Sequence, residues 1–242
     1  YSAGTGGLGG GIYCEVTQEA RDNIYIVNNT IAGNHATHSI FGEQGGGVAV
    51  TILADNLILA NNILAFNSSG IWLHPTSPYG PKLQNNDLYN TTSNYINLSA
   101  GSTDISQNPL FFDLDGADDD PDTSEDNDYH LTENSPCVDG GDNSVPDLPL
   151  TDFEDDPRII DGDNDGTATV DIGADEFVKP CEGDFDTDGD VDGSDLALFA
   201  ADFGRTDCDQ GDSCEGNFDG DNDVDGSDLA TFAADFGRTD CP

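Results

Sequence analysis

Short apolar runs separated by asparagine and glycine dominate the first half of the chain. Gly11–Cys14, Asn23–Val27, Gly47–Val50, Asn56–Leu59, Gly70–Leu73 and Tyr95–Leu98 are each of strand length and rich in aliphatic residues. Alternate side chains of a strand face one way, which predicts Ile24 with Ile26, and Leu57 with Leu59, on the buried side. Several runs are followed by paired asparagines. Asn28–Asn34, Asn61–Asn67 and Asn85–Asn90 are related blocks whose starts lie 33 and 24 residues apart, and Gly45–Val48 echoes Gly9–Ile12. Repeats of this length, made of short strands and sharp turns, predict a solenoid. A mainly β, right-handed parallel β-helix suits them best over residues 1–112. Asparagine accepts the left-handed backbone needed at coil corners, and stacked amides can bond from coil to coil. An antiparallel sandwich ranks lower, because no two-residue hairpin signal joins adjacent runs.

The pattern changes after residue 112. Residues 113–180 form a turn-rich stretch that begins with the acidic loop Asp113–Asp122 and closes the solenoid. Lys179-Pro180 reads as a linker. Beyond it, residues 181–208 and 214–241 are a direct repeat that differs only at Asp184/Asn217, Thr187/Gly220, Gly189/Asn222 and Leu198/Thr231. Each repeat ends in an amphipathic helix. The apolar stripe is Leu196, Phe199, Ala200 and Phe203 in the first and Leu229, Phe232, Ala233 and Phe236 in the second. Gly204 and Gly237 mark the helix ends, and the two stripes are expected to pack on one another.

Charge sharpens this picture. The 242 residues carry 49 Asp and Glu against 6 Lys and Arg, a formal charge of −43. Nucleic acid and anionic membrane surfaces are excluded as partners, since both need clustered cations. A compact chain this acidic repels itself, and divalent cations are the natural remedy. No apolar run is long enough to span a bilayer, and no signal peptide is present. The opening Tyr1-Ser2-Ala3 and the absence of Met suggest a processed or truncated secreted product.

The acids of the repeats are spaced as ligands. Counted from Asp184, oxygen side chains fall at loop positions 1, 3, 5, 9 and 12, namely Asp184, Asp186, Asp188, Asp192 and Asp195. Gly189 occupies the turn at position 6. Asp190 at position 7 offers its backbone carbonyl, and Val191 at position 8 can anchor the loop to its twin. This is the EF-hand arrangement with Asp at position 12. Asn217, Asp219, Asp221, Asp223, Asp225 and Asp228 repeat it, with Asn222 at the turn. Two Ca2+ ions are expected, because calcium takes several hard oxygens in flexible geometry. Cys181, Cys208, Cys214 and Cys241 edge the repeats and predict disulfides in an oxidising, extracellular setting. Two symmetric pairings are open: within each repeat, or Cys181–Cys241 with Cys208–Cys214. The antiparallel packing expected of paired loop–helix units favours the second.

Two resemblances follow. Asn108–Phe111, Ser135-Pro136-Cys137-Val138-Asp139-Gly140-Gly141, Pro157-Arg158 and Val170–Glu176 occur in the order found in bacterial surface β-helix proteins of the choice-of-anchor type. The duplicated loop plus helix over residues 181–242 resembles a type I dockerin domain. That resemblance implies a cohesin-like partner, chosen partly at loop positions 10 and 11. Here these are Gly193-Ser194 and Gly226-Ser227, where a hydroxyl pair is commoner.

Other signals are weaker. Asp161–Gly166 is half a calcium loop with Asp171 as its potential closer, and the loop Asp113–Asp122 has similar status. His35, His38, His74 and His130 share no ligand spacing, so surface or turn roles are expected. Trp72 reads as an ordinary coil residue rather than a sugar platform, and Cys14 and Cys137 as buried thiols. Asn28, Asn67, Asn90 and Asn97 begin glycosylation sequons. The solenoid offers only Arg21 and Lys82 as cations, and no pair of acids stands out. The expected function is therefore non-catalytic: an extracellular structural, adhesion or assembly protein, attached to a surface protein or polymerised into a fibre. The alternative is a polysaccharide-binding or lyase-type β-helix protein.

Overall fold

The computed structural model describes residues 10–15, 23–36, 45–51, 56–114, 116, 127–163, 165–208, 214–239 and 241. The chain divides into two compact units, Tyr1–Phe177 and Val178–Pro242. The first is mainly strands in parallel sheets, and the second holds both helices. Most of the acidic loop 113–122, together with Arg21 and His38, lies outside the described residues.

In the first unit each pass of the chain adds one strand to each of three sheets. The first pass supplies β1 (Ile12–Glu15), β2 (Ile24–Val27) and β3 (Thr30–Ala32). The second supplies β4 (Val48–Thr51), β5 (Leu57–Ala60) and β6 (Ile63–Ala65). The third supplies β7 (Ile71–Leu73), β8 (Lys82–Gln84) and β9 (Asp87–Tyr89), and β10 (Tyr95–Ile96) begins a fourth. The sheet orders are β1-β4-β7-β10, β2-β5-β8 and β3-β6-β9, all parallel. Register aligns like with like: Ile12, Val48, Ile71 and Tyr95 in one sheet, Ile26, Leu59 and Leu83 in the next, Ile31, Leu64 and Leu88 in the third. Val48, Ile71, Leu59, Ile31, Leu64 and Leu88 share one buried core with Leu57, and Ile12, Tyr95, Ile24, Ile26 and Leu83 pack against it half-buried. Each fully buried aliphatic side chain here contributes about 2 kcal/mol of transfer free energy.

Paired asparagines turn the corners and bond the passes together. The first of each pair, Asn28, Asn61 and Asn85, has φ of 51°, 54° and 50°, the left-handed region asparagine tolerates. The second forms a ladder. Asn29 donates to Asn62 at 3.0 Å, Asn62 to Asn86 at 2.9 Å, and Asn86 to Asp104 at 3.0 Å. A second ladder runs Asn34 to Asn67 to Asn90 to Asn94 at 3.1, 2.9 and 3.1 Å. The ladders commit the side-chain nitrogens of Asn67 and Asn90, and Asn28 is buried and donates to Asp171. Among the sequon asparagines, only Asn97 is exposed. Glycine in the echoed blocks serves close approach: a Cβ on Gly46 would meet Ser68 Oγ at 2.5 Å. Trp72 is fully buried and edge-on to His74, so it is no sugar platform.

The stretch before residue 177 lies along this stack. β11 (Phe111–Asp113) and β12 (Asp128–Leu131) pair antiparallel. Leu131, Cys137 and Ile172 pack on Ile63 and Ala65. The corner asparagines receive the returning chain: Asn61 accepts from the Asp142 N–H at 2.9 Å, and Asn85 donates to Gly140 O at 3.0 Å. Arg158, buried, donates to Glu176 at 2.9 Å, to Gly173 O at 3.2 Å and to Ala174 O at 2.8 Å. Sequence blocks separated along the chain are thus direct partners in space.

The second unit holds α1 (Gly193–Asp202) and α2 (Gly226–Asp235). Their stripes meet at Phe199 and Phe232, whose rings stack 5.2 Å apart. Phe185 and Phe218, the residues after the first loop positions, complete a stack of four aromatic rings. With the core filled from the loops, the rest of each stripe stays out: Leu196, Phe203, Leu229 and Phe236 are 39–50% exposed. The expected packing of the two stripes on one another is therefore met by one buried residue per helix, Phe199 and Phe232. Gly204 and Gly237 have φ of 90° and 95° just past the helix ends. Disulfides join Cys181 to Cys241 and Cys208 to Cys214, the second of the two pairings. Cys14 and Cys137 are free thiols, and Cys137 is buried.

Candidate metal centre

Both repeats place their acids in a tight loop that runs into a helix N-terminus. Asp192 caps α1 and Asp225 caps α2, each accepting from the N–H two residues on at 2.7 Å. Asp195 and Asp228, at position 12, are buried. They return the capping bond to Asp192 N and Asp225 N at 2.8 Å and also accept from Phe185 N and Phe218 N at 2.8 Å. Burial alone would raise both carboxyls, yet the backbone donors hold them below the ordinary Asp value. They are therefore preformed anions at the base of each loop.

The other candidate residues are brought together only in part, since Asp188, Asp219 and Asp221 fall in none of the tight carboxylate groups among the described residues. Oxygens of Asp184, Asp186 and Asp195 lie within 4.8 Å of one another, as do those of Asp190, Asp192 and Asp195, and of Asp223, Asp225 and Asp228. Asp184 accepts from Asp188 N and Gly189 N, at 3.2 and 3.1 Å, curling the loop around it. Asn217 instead accepts from Gly220 N at 2.9 Å. Asp188 and Asp221 accept from the N–H two residues on, and Asp221 N donates to Asp219. The turn residues Gly189 and Asn222 have φ of 94° and 78°. Asp186, Asp190, Asp219 and Asp223 all sit above the ordinary Asp pKa, through burial first and then the charge of neighbouring loop carboxylates.

Asp190 and Asp223 hold a feature the spacing did not reveal. Their Oδ1 atoms are withdrawn from solvent with no hydrogen-bond partner. An orphaned carboxylate oxygen is costly unless a cation meets it. The same orphan occurs at position 7 of both loops, where the sequence assigned only a backbone carbonyl. The repetition of Asp at that position is the signal that could have found it. A donor set of clustered carboxylate and amide oxygens, without nitrogen or sulfur, fits a hard divalent cation such as calcium.

Position 8 works differently from the EF-hand expectation. Val191 does not pair with its twin Val224. Its N–H donates to Arg238 O at 3.0 Å, and Gly237 N donates to Val191 O at 2.8 Å. Val224 bonds Arg205 O and Gly204 N in the same way. Each loop is thus held by the helix end of the other repeat. Cys241 N on Gly189 O and Cys208 N on Asn222 O, both at 3.2 Å, extend the exchange. Gly193-Ser194 and Gly226-Ser227 lie exposed at the first turns of the helices.

The weaker signals resolve as follows. Asp171 does not close the Asp161 loop. It is buried and accepts from Asp139 N at 2.6 Å and Phe177 N at 2.7 Å. Asp139 meets Asp161 and Asp163 instead. Lys82 is exposed on β8. His35 is exposed, and His74 bonds Thr76 in a local turn. His130, expected in a surface or turn role, lies among Asp128, Glu154 and Asp175. Among the described residues no helix is long and apolar enough to cross a membrane.

No protein-family model matches the chain, and neither a curated protein nor a solved structure matches it.

Proposed function

We propose that this is an extracellular calcium-binding structural protein. Its first unit is a right-handed parallel β-helix, and its second is a dockerin-like module that fastens it to a cohesin-like surface protein or to another copy. The observation that carries the reading is the orphaned Oδ1 of Asp190 and of Asp223, placed identically in two loops of ligand spacing. Calcium satisfies those oxygens and quenches the repulsion that raises the neighbouring carboxyls. The two disulfides suit an oxidising compartment. The asparagine ladders and the three-sheet stacking support a rigid rod, which favours scaffold over catalyst.

Calorimetric titration of the full chain tests the metal claim. Two ions should bind with dissociation constants on the order of micromolar to millimolar. Asp195→Ala and Asp228→Ala should each remove one, while Asp207→Ala, outside the loop, removes neither. No heat of binding in that range would sink the reading. Electron microscopy with and without chelator then separates a fastened or fibrous particle from a monomer.

A further inference from the structure

His130 lies at the centre of a group in the first unit that the calcium loops do not involve. Its ring is bracketed by carboxylates: Nδ1 meets Asp128 Oδ1 in a short hydrogen bond, and Nε2 lies 2.8 Å from Glu154 Oε2. Asp175 completes the group, since ligand atoms of His130, Glu154 and Asp175 all lie within 4.8 Å of one another. Asp175 is only 4% exposed. Its Oδ2 accepts from Leu131 N at 2.6 Å, and among the described residues its Oδ1 accepts no hydrogen bond. That leaves Oδ1 open to water or to a cation.

Charge favours the cation. Three carboxylates surround one imidazole, so even a protonated ring leaves the group at −2. A dication with neutral imidazole, Glu154 and Asp175 sums to zero. Asp128 then keeps the Nδ1–H, which is the outer carboxylate that metal-bound histidines usually have. Geometry asks for little. Tetrahedral bonds of about 2.0–2.1 Å put ligand atoms about 3.3 Å apart, so the 2.8 Å separation of His130 and Glu154 must open by roughly half an ångström. Glu154 is half-exposed and free to give.

We propose that His130 Nε2, Glu154 and Asp175 bind one zinc-class divalent transition-metal ion, with Asp128 orienting the imidazole. The imidazole selects against calcium and magnesium, which prefer all-oxygen shells. Three protein ligands leave a coordination position open. Each ligand is the chain neighbour of a residue lining one cleft of about 490 Å³, namely Tyr129, Phe153 and Ala174. This site stands apart from the calcium reading and does not depend on it.

The test uses the untagged full chain with excess calcium present, so that other carboxylates are occupied. Zinc is titrated by calorimetry and cobalt(II) by its visible absorption. One ion per chain is expected, bound despite the calcium. His130→Gln should abolish uptake, and Asp175→Asn should weaken it at least tenfold. Asp128→Asn should weaken it by about 10–100-fold, and Asp207→Ala, outside both groups of ligands, should leave zinc uptake unchanged. His130 is part-exposed, so its variant is expected to fold. Unchanged Trp72 fluorescence verifies that. No uptake in calcium, or uptake unaltered by His130→Gln, overturns the proposal.

Discussion

Arg158 lies 2.9 Å from Glu176, and the two side chains are 5% and 0% exposed. The arginine also binds the carbonyls of Gly173 and Ala174, so it ties two segments of the returning chain to each other. Removing one member of such a pair leaves the other buried and uncompensated. Arg158→Ala is expected to cost about 3–5 kcal/mol. Denaturant unfolding followed by Trp72, the sole tryptophan and a fully buried one, reads this directly. An Arg158→Met, Glu176→Leu double variant should recover much of the loss, and failure to recover would show that the carbonyl bonds dominate.

Raised and depressed carboxyls should make opposite contributions to stability as the pH changes. Burial, and then the charge of Asp139 and Asp175, raises the Asp171 carboxyl to about 7. Its folded value lies above the unfolded one, so the native state binds the extra proton between roughly pH 4 and 7. The stability it contributes is present at low pH and falls as pH rises through that window. Asp195 and Asp228 are depressed, so their contribution is present above the unfolded value and lost as pH falls through the lower folded one. Trp72-monitored stability should decline from pH 4 to 7, and Asp171→Asn should flatten the decline. A rise over that range, unaltered by the variant, contradicts the assignment.

At position 7 the same side chain should act with two signs. Asp190→Asn removes a charge that its neighbours repel and an oxygen that lacks a donor. In chelator the variant should melt higher than the parent. With calcium it should bind about tenfold more weakly at the first loop, a difference of about 1.4 kcal/mol. Melting curves in the two conditions should therefore cross.

The two disulfides close very different lengths of chain, with separations of 60 and 6 residues. In the chain-entropy account, the longer closure stabilises by about 4 kcal/mol and the shorter by about 2. The Cys181→Ala, Cys241→Ala pair should thus lower the second unit's stability by about 2 kcal/mol more than Cys208→Ala, Cys214→Ala. Melting of the calcium-loaded variants gives the comparison.

Much of this architecture was legible because the fold repeats itself. Asn28, Asn61 and Asn85 recur before their ladder partners, and the turn needs of each corner are written in the residue type. Loop ligands were legible for the same reason, since spacing along the chain is spacing in a tight turn. The rest arises from contacts between distant segments, which no local pattern encodes. Phe185 and Phe218 stand between the acids of the loops, where no periodic pattern marks them, yet they pack against the core between the helices. His130 met Glu154 and Asp175 only through the return of the chain over the stack. The orphaned oxygens of Asp190 and Asp223 needed coordinates, because a burial state cannot be read from a run of aspartates.

Val191 is clasped by the end of α2, and Val224 by the end of α1. Neither repeat is therefore a self-sufficient module, despite near-identical sequences. Filling one loop should stiffen the segment that frames the other, so the ions are expected to bind with positive cooperativity. The same clasp restricts how the copies can drift apart. Gly189 and Asn222, which differ, touch the opposite tail through their carbonyl oxygens alone, and the differing Leu198 and Thr231 lie off the buried core. The clasping glycines, arginines and valines are the same in both halves. A change to any of them would be felt in the partner's ion site, so each half is an heirloom that the other obliges it to keep.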